Sequence, residues 1–263
     1  MEWLAHAALH SNPGLTFHGF DGLRVIHGVI LEEENSCTVR ALAGKALSEG
    51  SLLRVPVELR STKEIGRKRS TQSDTLHVRG EVILGPRLLA SDHHVPEMPI
   101  EPYERDIEEI YTHLLFHGTH LQGIDTIEGC SERGIIGLAA VAPGPAEWIE
   151  NPLRNTWLAD PLVIDSAFQL MVLWTFANKG CASLPCFVGK YRQYRRSLPR
   201  DRVRVVAEVK ESTSHRAVAD IFFVDLSGNV VARIENYESV IDAGLNQAFR
   251  RNRLGQTAAS FQV

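Results

Sequence analysis

An acidic residue, Asp165, lies in a stretch that is apolar on almost every side, ADPLVIDSAFQLMVLW, at positions 159–174. A carboxylate in such surroundings is costly unless it is paired or kept protonated. In a helix, Asp165 and Gln169 are four residues apart and lie on one face, so the amide could orient the carboxyl group. Burial would raise the pKa of Asp165, which suits a proton donor near neutral pH. The same spacing fits equally well an acid that only anchors a backbone turn.

The elements around Asp165 must hold it among these apolar neighbours. The pattern predicts a helix over roughly 162–178, and apolar residues on all its sides indicate that a curved sheet wraps it. Alternating and β-branched residues predict strands before and after this helix. The predicted strands of this half are 124–130, 134–141, 203–212, 216–228 and 229–240, and a further helix is predicted over 104–115.

The first part of the chain has the same outline, a helix followed by antiparallel strands. The helix is predicted at 1–10 and the strands at 23–31, 36–44, 52–61 and 74–84, with a solvated hairpin tip at 63–69. Four prolines punctuate the stretch that follows and predict a connection over the surface. We therefore predict a partial N-terminal unit over 1–85, a linker over 86–103, a second unit over 104–243 and a tail over 244–263.

Composition excludes several classes of function. A net charge of −4 argues against a general nucleic-acid binder, which normally carries a strong basic excess. The four cysteines match no zinc pattern and no compact disulfide framework. His93 and His94 are adjacent and have no third ligand at a suitable spacing, so we expect no metal site. Without a long apolar run or a signal-like N-terminus, a cytoplasmic protein is expected.

Four segments resemble, in the right order, the dehydratase domains of polyketide and multidomain fatty-acid synthases. DPLVIDSAFQ, at 160–169, resembles the family signature in which Asp is followed four residues later by Gln or His. YTHLLFHGTHLQGI at 111–124 resembles its Tyr-Gly-Pro-x-Phe-Gln segment, and SLPCFVGKYRQYR at 183–195 its Leu-Pro segment. NPGLTFHGFDGLRVIHGVIL at 12–31 resembles the strand entry after the first helix. The ordered set is more specific than any one motif.

The resemblance implies an α+β double hotdog, in which two helices are each wrapped by an antiparallel sheet. It implies a lyase that removes water from a 3-hydroxyacyl thioester on the phosphopantetheine arm of an acyl carrier protein. The product is a trans-2-enoyl thioester in polyketide or fatty-acid biosynthesis, and the enzyme needs no cofactor of its own. A base removes the α-proton and an acid protonates the departing β-hydroxyl group. By resemblance, Asp165 is that acid and Gln169 supports it.

The resemblance also implies further site residues. The family's Tyr-Gly-Pro stands here as His117-Gly118-Thr119, and His117 is expected to take over the hydrogen bond of the tyrosine. A histidine that is satisfied in the sheet or exposed at its edge is the alternative. The matching segments place Gly118, Leu121 and Pro185 against the substrate.

The family's base is a histidine in a His-x-x-x-Gly-x-x-x-x-Pro motif ahead of the first helix, and this sequence has no such motif. We therefore expect the first hotdog to be truncated at its N-terminus and an upstream segment to complete it. In the absence of that segment the fragment can be inactive. His18, His27 and His113 are weaker candidates for a substitute base.

Arg192, Arg195 and Arg196 belong to a basic stretch that could dock an acidic carrier protein or the phosphate of its arm. A solvated strand edge and loop is the alternative. The resemblance also implies contacts with other synthase domains and a homodimer, but not with nucleic acid or a membrane. Two other functions stay open: a catalytically incomplete double-hotdog scaffold that binds acyl chains, and an enoyl isomerase.

Overall fold

The computed structural model describes residues 1–29, 37–63 and 73–250. These residues form an α+β structure with two main helices and one antiparallel sheet. The helices are α1 (Glu2–His10), α2 (Ile107–Glu109), α3 (Pro145–Trp148) and α4 (Pro161–Lys179), with a π-helical turn at Ile110–Leu114 and a 3₁₀ turn at Thr119–Leu121. The strands are β1 (Thr16–Val25), β2 (Thr38–Ala43), β3 (Leu47–Glu49), β4 (Leu52–Lys63), β5 (Ser73–Gly85), β6 (Ile124–Ser131), β7 (Gly134–Ala140), β8 (Ser183–Gln193), β9 (Arg202–Ser212), β10 (Arg216–Val224) and β11 (Val230–Ile241).

Strands from both halves of the chain belong to one continuous sheet. Its order is β2-β4-β5-β1-β8-β11-β10-β9-β7-β6, and β3 pairs with β4. Helix α1 packs on the first four of these strands, and α4 packs on β6, β7, β8 and β9. Most of the buried apolar residues of both halves belong to one hydrophobic cluster. Each helix therefore lies in the concave face of its own half of a single sheet.

The two halves meet where β1 pairs with β8. Gly19 of β1 lies opposite Arg192 and has a φ of +150°. A Cβ atom at this position would lie 1.8 Å from the carbonyl oxygen of Tyr191, so only glycine lets the two backbones approach this closely. We call the β1–β8 pairing the seam.

Helix α4 begins and ends at strong local signals. The carboxylate of Asp160 accepts hydrogen bonds from the backbone N–H groups of Leu162 and Val163, and Pro161 occupies the first turn. The helix ends at Gly180, whose φ of +68° is the left-handed conformation that glycine adopts readily. Apolar residues on all its sides are buried, as the pattern predicts.

Residues 86–106 form no helix or regular strand, but they are not a free linker. Val95, Met98 and Ile100 pack on a cluster of buried residues in the second half, and the backbone of Glu101 forms two hydrogen bonds with that of Cys130 at the edge of β6. This connection therefore covers the second half of the sheet. The exact domain boundaries stay a prediction.

Several elements differ from the sequence-based expectation. Strand β1 covers 16–25, so it begins seven residues before the predicted strand 23–31, because its glycines weaken the strand pattern there; residues 30 and 31 lie outside the described residues. Three strands are predicted after α4, whereas the described residues there form four, because β8 was not predicted. The helix predicted at 104–115 is a short α-helix followed by a π-helical turn. The predicted hairpin tip, apart from Lys63, lies outside the described residues.

The predicted tail is also different over its first residues. Residues 243–250 are helical, and the ring of Phe249 is 3% exposed and lies 4.4 Å from that of Phe116. A buried aromatic side chain ties this segment to the second half of the molecule. Residues 244–250 of the predicted tail are therefore packed on the fold, residues 251–263 lie outside the described residues, and the boundary at 244 stays a prediction.

Candidate active site

Asp165 lies in the second turn of α4 and faces a cavity of about 490 Å³. Pro161, Ile164 and Phe168 line the cavity from the same helix face, as the helical spacing requires. The opposite wall comes from the first half of the chain and includes Leu4 of α1. Further lining residues of the first half are Leu23, Leu59 and Val78. The cavity is therefore shared by the two halves of the molecule.

One oxygen of Asp165 is held by its neighbours and the other is free. Gln169 donates a hydrogen bond from Nε2 to Oδ2 at 2.6 Å, and Nε2 of His117 lies 3.5 Å from the same oxygen. Within the described ranges, Oδ1 accepts no hydrogen bond. The side chain is 30% exposed. One carboxyl oxygen is thus available to a group that enters the cavity.

The amide of Gln169 is fixed in one orientation by two further groups. Its Oε1 accepts a hydrogen bond from the hydroxyl of Tyr111 at 2.8 Å, and Nε2 also donates to the carbonyl oxygen of Leu121 at 2.7 Å. The hydroxyl of Tyr111 in turn accepts from the backbone N–H of Ile124 at 2.9 Å. Since Oε1 is occupied by a donor, Nε2 must face Asp165.

Burial opposes the ionisation of both members of the His117–Asp165 pair. Desolvation raises the pKa of Asp165, and His117 and the hydrogen bond from Gln169 partly offset the rise. Desolvation lowers the pKa of His117, and the charge of Asp165 acts in the opposite direction. Burial thus favours a neutral imidazole beside a protonated carboxyl group over the charged pair.

His117 is held by the turn that follows the π-helical segment. Its ring stacks on that of Phe116 with centroids 4.4 Å apart, and its backbone carbonyl accepts from the side chain of Gln122. Its Nδ1 is buried and has no hydrogen-bond partner in the described part of the chain. His117 does not line the cavity itself. It therefore reaches the cavity only through Asp165.

The other predicted substrate residues surround this arrangement. Gly118 precedes the 3₁₀ turn, and Leu121 at the end of that turn supplies the carbonyl that orients Gln169. Pro185 of β8 lines the cavity. Close packing explains Gly123 beside them, since a Cβ atom there would lie 2.4 Å from the hydroxyl oxygen of Ser166 on α4.

The three arginines of the predicted docking stretch have different surroundings. Arg192 is largely buried and pairs with Asp21 at 2.6 Å, and Arg195 pairs with Asp225 at 2.6 Å. Both cations have an acidic partner within the molecule, although Arg195, like Arg196, is exposed. None of the three lines the cavity. Arg192 is therefore unsuited to the docking role, because its guanidinium is committed to the seam.

The weaker histidine candidates lie away from the cavity. His18 is buried, His27 makes a hydrogen bond with the carbonyl oxygen of Leu76, and His113 is exposed. None of them is a lining residue. His93 contacts Arg233, and the described ranges contain no group of three or more His, Cys, Asp or Glu residues arranged for a metal ion. No helix in those ranges is both long and apolar enough to cross a membrane.

Tyr111 is the site residue that sequence reasoning missed. It opens the 111–124 segment, but nothing in its spacing relates it to Gln169 on a distant helix. A buried hydroxyl needs a partner, and burial raises the pKa of Tyr111 to about 12, so the group stays a hydrogen-bond donor. The only available signal was a tyrosine in a segment whose other residues approach α4.

Comparison with known proteins agrees with this architecture. The chain is 26% identical over 203 residues to a subunit of the polyunsaturated fatty acid synthase of Thraustochytrium sp., an alignment that covers 76% of this chain and 7% of that protein. The chain thus spans less than a tenth of its relative.

Solved structures of similar fold include the dehydratase domain from the CurF module of the curacin polyketide synthase. It has a TM-score of 0.66 and 20% identity, and the match covers 92% of this chain and 82% of that one. A variant of the GphF dehydratase has a TM-score of 0.66, 19% identity and the same coverage. At this level of identity the likeness concerns the fold, and it confirms the double hotdog.

A family model described as the polyketide synthase dehydratase N-terminal domain matches residues 90–241. The match contains α4, the turn that carries His117 and all of β6–β11. Since it covers more than half of the 263 residues, the chain belongs to the polyketide synthase dehydratase family.

Proposed function

We propose that this chain dehydrates a 3-hydroxyacyl thioester carried by an acyl carrier protein and forms a trans-2-enoyl thioester. The observation that carries the proposal is the carboxyl group of Asp165, which faces an apolar cavity with one oxygen free. Burial raises the pKa of this group and so favours the protonated form that a proton donor needs. The names of its relatives, a dehydratase domain and a polyunsaturated fatty acid synthase, are consistent with this chemistry.

Asp165 is the proton donor in this mechanism. As a base removes the α-proton, the electrons form the Cα–Cβ double bond and the C–O bond to the β-hydroxyl breaks. Asp165 transfers its proton to that oxygen, so that water leaves rather than hydroxide. Gln169 then donates its hydrogen bond to the carboxylate that remains, and Tyr111 holds the amide in place. His117 adds a second stabilising contact to the same oxygen.

The test is dehydration of a 3-hydroxyacyl pantetheine thioester followed by mass spectrometry. The chain is assayed by itself and mixed with a polypeptide that bears the histidine motif, since the family resemblance assigns the base to that motif. Asp165→Asn should abolish product formation in whichever mixture is active. If neither the chain alone nor the mixture forms product while the protein is folded, the acyl-binding scaffold replaces the enzyme as the better hypothesis.

The partners in this proposal are an acyl carrier protein, the neighbouring domains of a synthase and a second copy of the chain. Their support is family membership, and Arg192 adds nothing to it, because its side chain is largely buried and paired with Asp21. The chemistry needs no cofactor, because Asp165 and a base supply both proton transfers.

A further inference from the structure

Three of the four tryptophans of the chain line the cavity that Asp165 faces. They are Trp3, Trp148 and Trp157. Trp174, the fourth, is buried in the later half of α4, where its Nε1 donates to the carbonyl oxygen of Ser131. Large, rigid aromatic side chains are thus concentrated on one cavity.

Two of these tryptophans, Trp148 and Trp157, lie side by side in the segment that leads into α4. Pro161 begins α4 and Asp165 follows one turn later, roughly 6 Å along the helix axis. Trp157 and Trp148 precede the helix in the chain, and their rings lie 5.8 Å apart. Trp3 is at the rim, since 52% of it is exposed. Trp148 and Trp157 therefore form a wall beyond the N-terminal end of α4, which we call the tryptophan wall.

Polar groups beside the tryptophan wall are already used within the protein. The indole N–H of Trp157 donates to the carbonyl oxygen of Pro143 at 2.6 Å. The carboxylate of Glu2, also a lining residue, accepts from the backbone N–H groups of Leu158 and Ala159 at 2.8–3.1 Å. An amide of a pantetheine arm placed here would give up water without gaining these groups as partners. A hydrocarbon chain has no such cost.

We propose that the tryptophan wall is the closed end of the acyl pocket and selects plain hydrocarbon chains of limited length. This inference rests on the proposed function, because it places the β-carbon of the substrate beside Asp165. The acyl chain extends from there toward Trp148 and Trp157, and the thioester and its polar arm leave in the other direction. Chain length is then limited by the distance between Asp165 and the wall.

Binding measures this pocket without any reaction. Butanoyl, octanoyl and dodecanoyl pantetheine thioesters, all without a β-hydroxyl group, are titrated into the full chain while intrinsic fluorescence is recorded. The octanoyl thioester should bind more tightly than the butanoyl thioester. The dodecanoyl thioester should bind no more tightly than the octanoyl thioester, although its chain is longer. An octanoyl chain with a terminal hydroxyl group should bind about tenfold more weakly than octanoyl itself. Equal binding of these two ligands would overturn the proposal, as would the absence of binding by all of them.

Trp148→Ala should raise the affinity for dodecanoyl relative to butanoyl by about tenfold, because a long chain can then enter the space of the indole. Trp148→Phe, which retains a ring, should give an intermediate shift and serves if the alanine variant does not fold. The matched control is Leu153→Ala, in the same connecting segment but 79% exposed and outside the lining of the cavity. Identical length profiles in the wild type and both Trp148 variants would overturn the proposal.

The same ligands separate this inference from the proposed function. Asp165→Asn should abolish dehydration and leave the length profile of binding unchanged. If substitution of Trp148 changes the length profile of binding but no protein dehydrates, the inference about the pocket is supported and the proposed reaction is rejected. If the chain dehydrates and substitution of Trp148 leaves the length profile unchanged, the reaction is supported and the role of the tryptophan wall is rejected.

Discussion

A proton donor must hold its proton until the leaving group departs and must then exist as an anion. In the proposed reaction, different features of the site meet these two needs at Asp165. Desolvation raises the pKa and favours the protonated form, while the amide N–H of Gln169 and the nearby His117 stabilise the charge that follows. The helical spacing of four residues predicts the Asp165–Gln169 contact. The contact with Tyr111 joins residues far apart in the chain, and no local pattern encodes it.

Asp165→Asn should change the pH dependence of stability. A carboxyl group whose folded-state pKa is raised binds a proton more tightly in the folded than in the unfolded protein. Its contribution to stability is therefore greatest at low pH and is lost as the pH rises from about 3.9 through the folded-state value. The Asn variant lacks this loss. The melting temperature of the wild type should therefore fall relative to that of the variant as the pH is raised from about 4 to about 8.

The control for this comparison is Asp201→Asn, since Asp201 is exposed. That variant should follow the wild type across the same pH range when unfolding is monitored by circular dichroism. If the melting temperatures of the wild type and Asp165→Asn change in parallel with pH, burial does not raise the pKa of Asp165.

Tyr111→Phe should lower kcat about tenfold with little effect on KM, because the ring stays while the Gln169 amide loses the donor that orients it and the N–H of Ile124 loses its acceptor. With the amide free to turn, the carboxylate of Asp165 is less stabilised and its pKa rises. The alkaline limb of the kcat–pH profile should therefore move to higher pH. Tyr103→Phe is the control, as Tyr103 is partly buried but is outside this hydrogen-bond network. A profile that does not move would leave Tyr111 with a purely structural role.

At the scale of elements, helix α4 was the most predictable part of the fold and β8 the least. The predicted helix, 162–178, differs from Pro161–Lys179 by one residue at each end, because Asp160, Pro161 and Gly180 mark its limits. Strand β8 contains Pro185 and Gly189, which weaken a strand pattern. Its partners β1 and β11 lie far away in the chain, so pairing rather than local preference decides its structure.

Gly19→Ala should reduce the free energy of unfolding by roughly 2–4 kcal/mol, because the new Cβ atom would meet the Tyr191 carbonyl in the seam. Gly22→Ala is the matched control in the same strand. Gly22 has a φ of +58° but has no atom within 4 Å of the added Cβ, so only about 1 kcal/mol of backbone strain is expected. Urea denaturation measures both, and equal losses would contradict the role given to the seam.

At the scale of the whole molecule, the site exists only because the two halves share a sheet and a core. Asp165 comes from α4, whereas Leu4, Leu23 and Val78 on the facing wall come from the first half. The alternating apolar residues, and the turn residues between them, predict helices wrapped by sheets in each half. They do not predict how one half is placed against the other, since the seam pairs strands from opposite parts of the chain.

Because non-covalent contacts join the halves, the peptide connection between them is dispensable once the protein has folded. Leu89 and Ala90 are exposed, so a specific protease site placed between them can be cut without unpacking Met98 or Ile100. The two fragments should co-elute as one species in size-exclusion chromatography and separate only in denaturant. Joined to Gly19→Ala, the same cleavage should release them. The seam would then be the interface that holds two separate fragments together, and the fragments could be produced separately and reassembled.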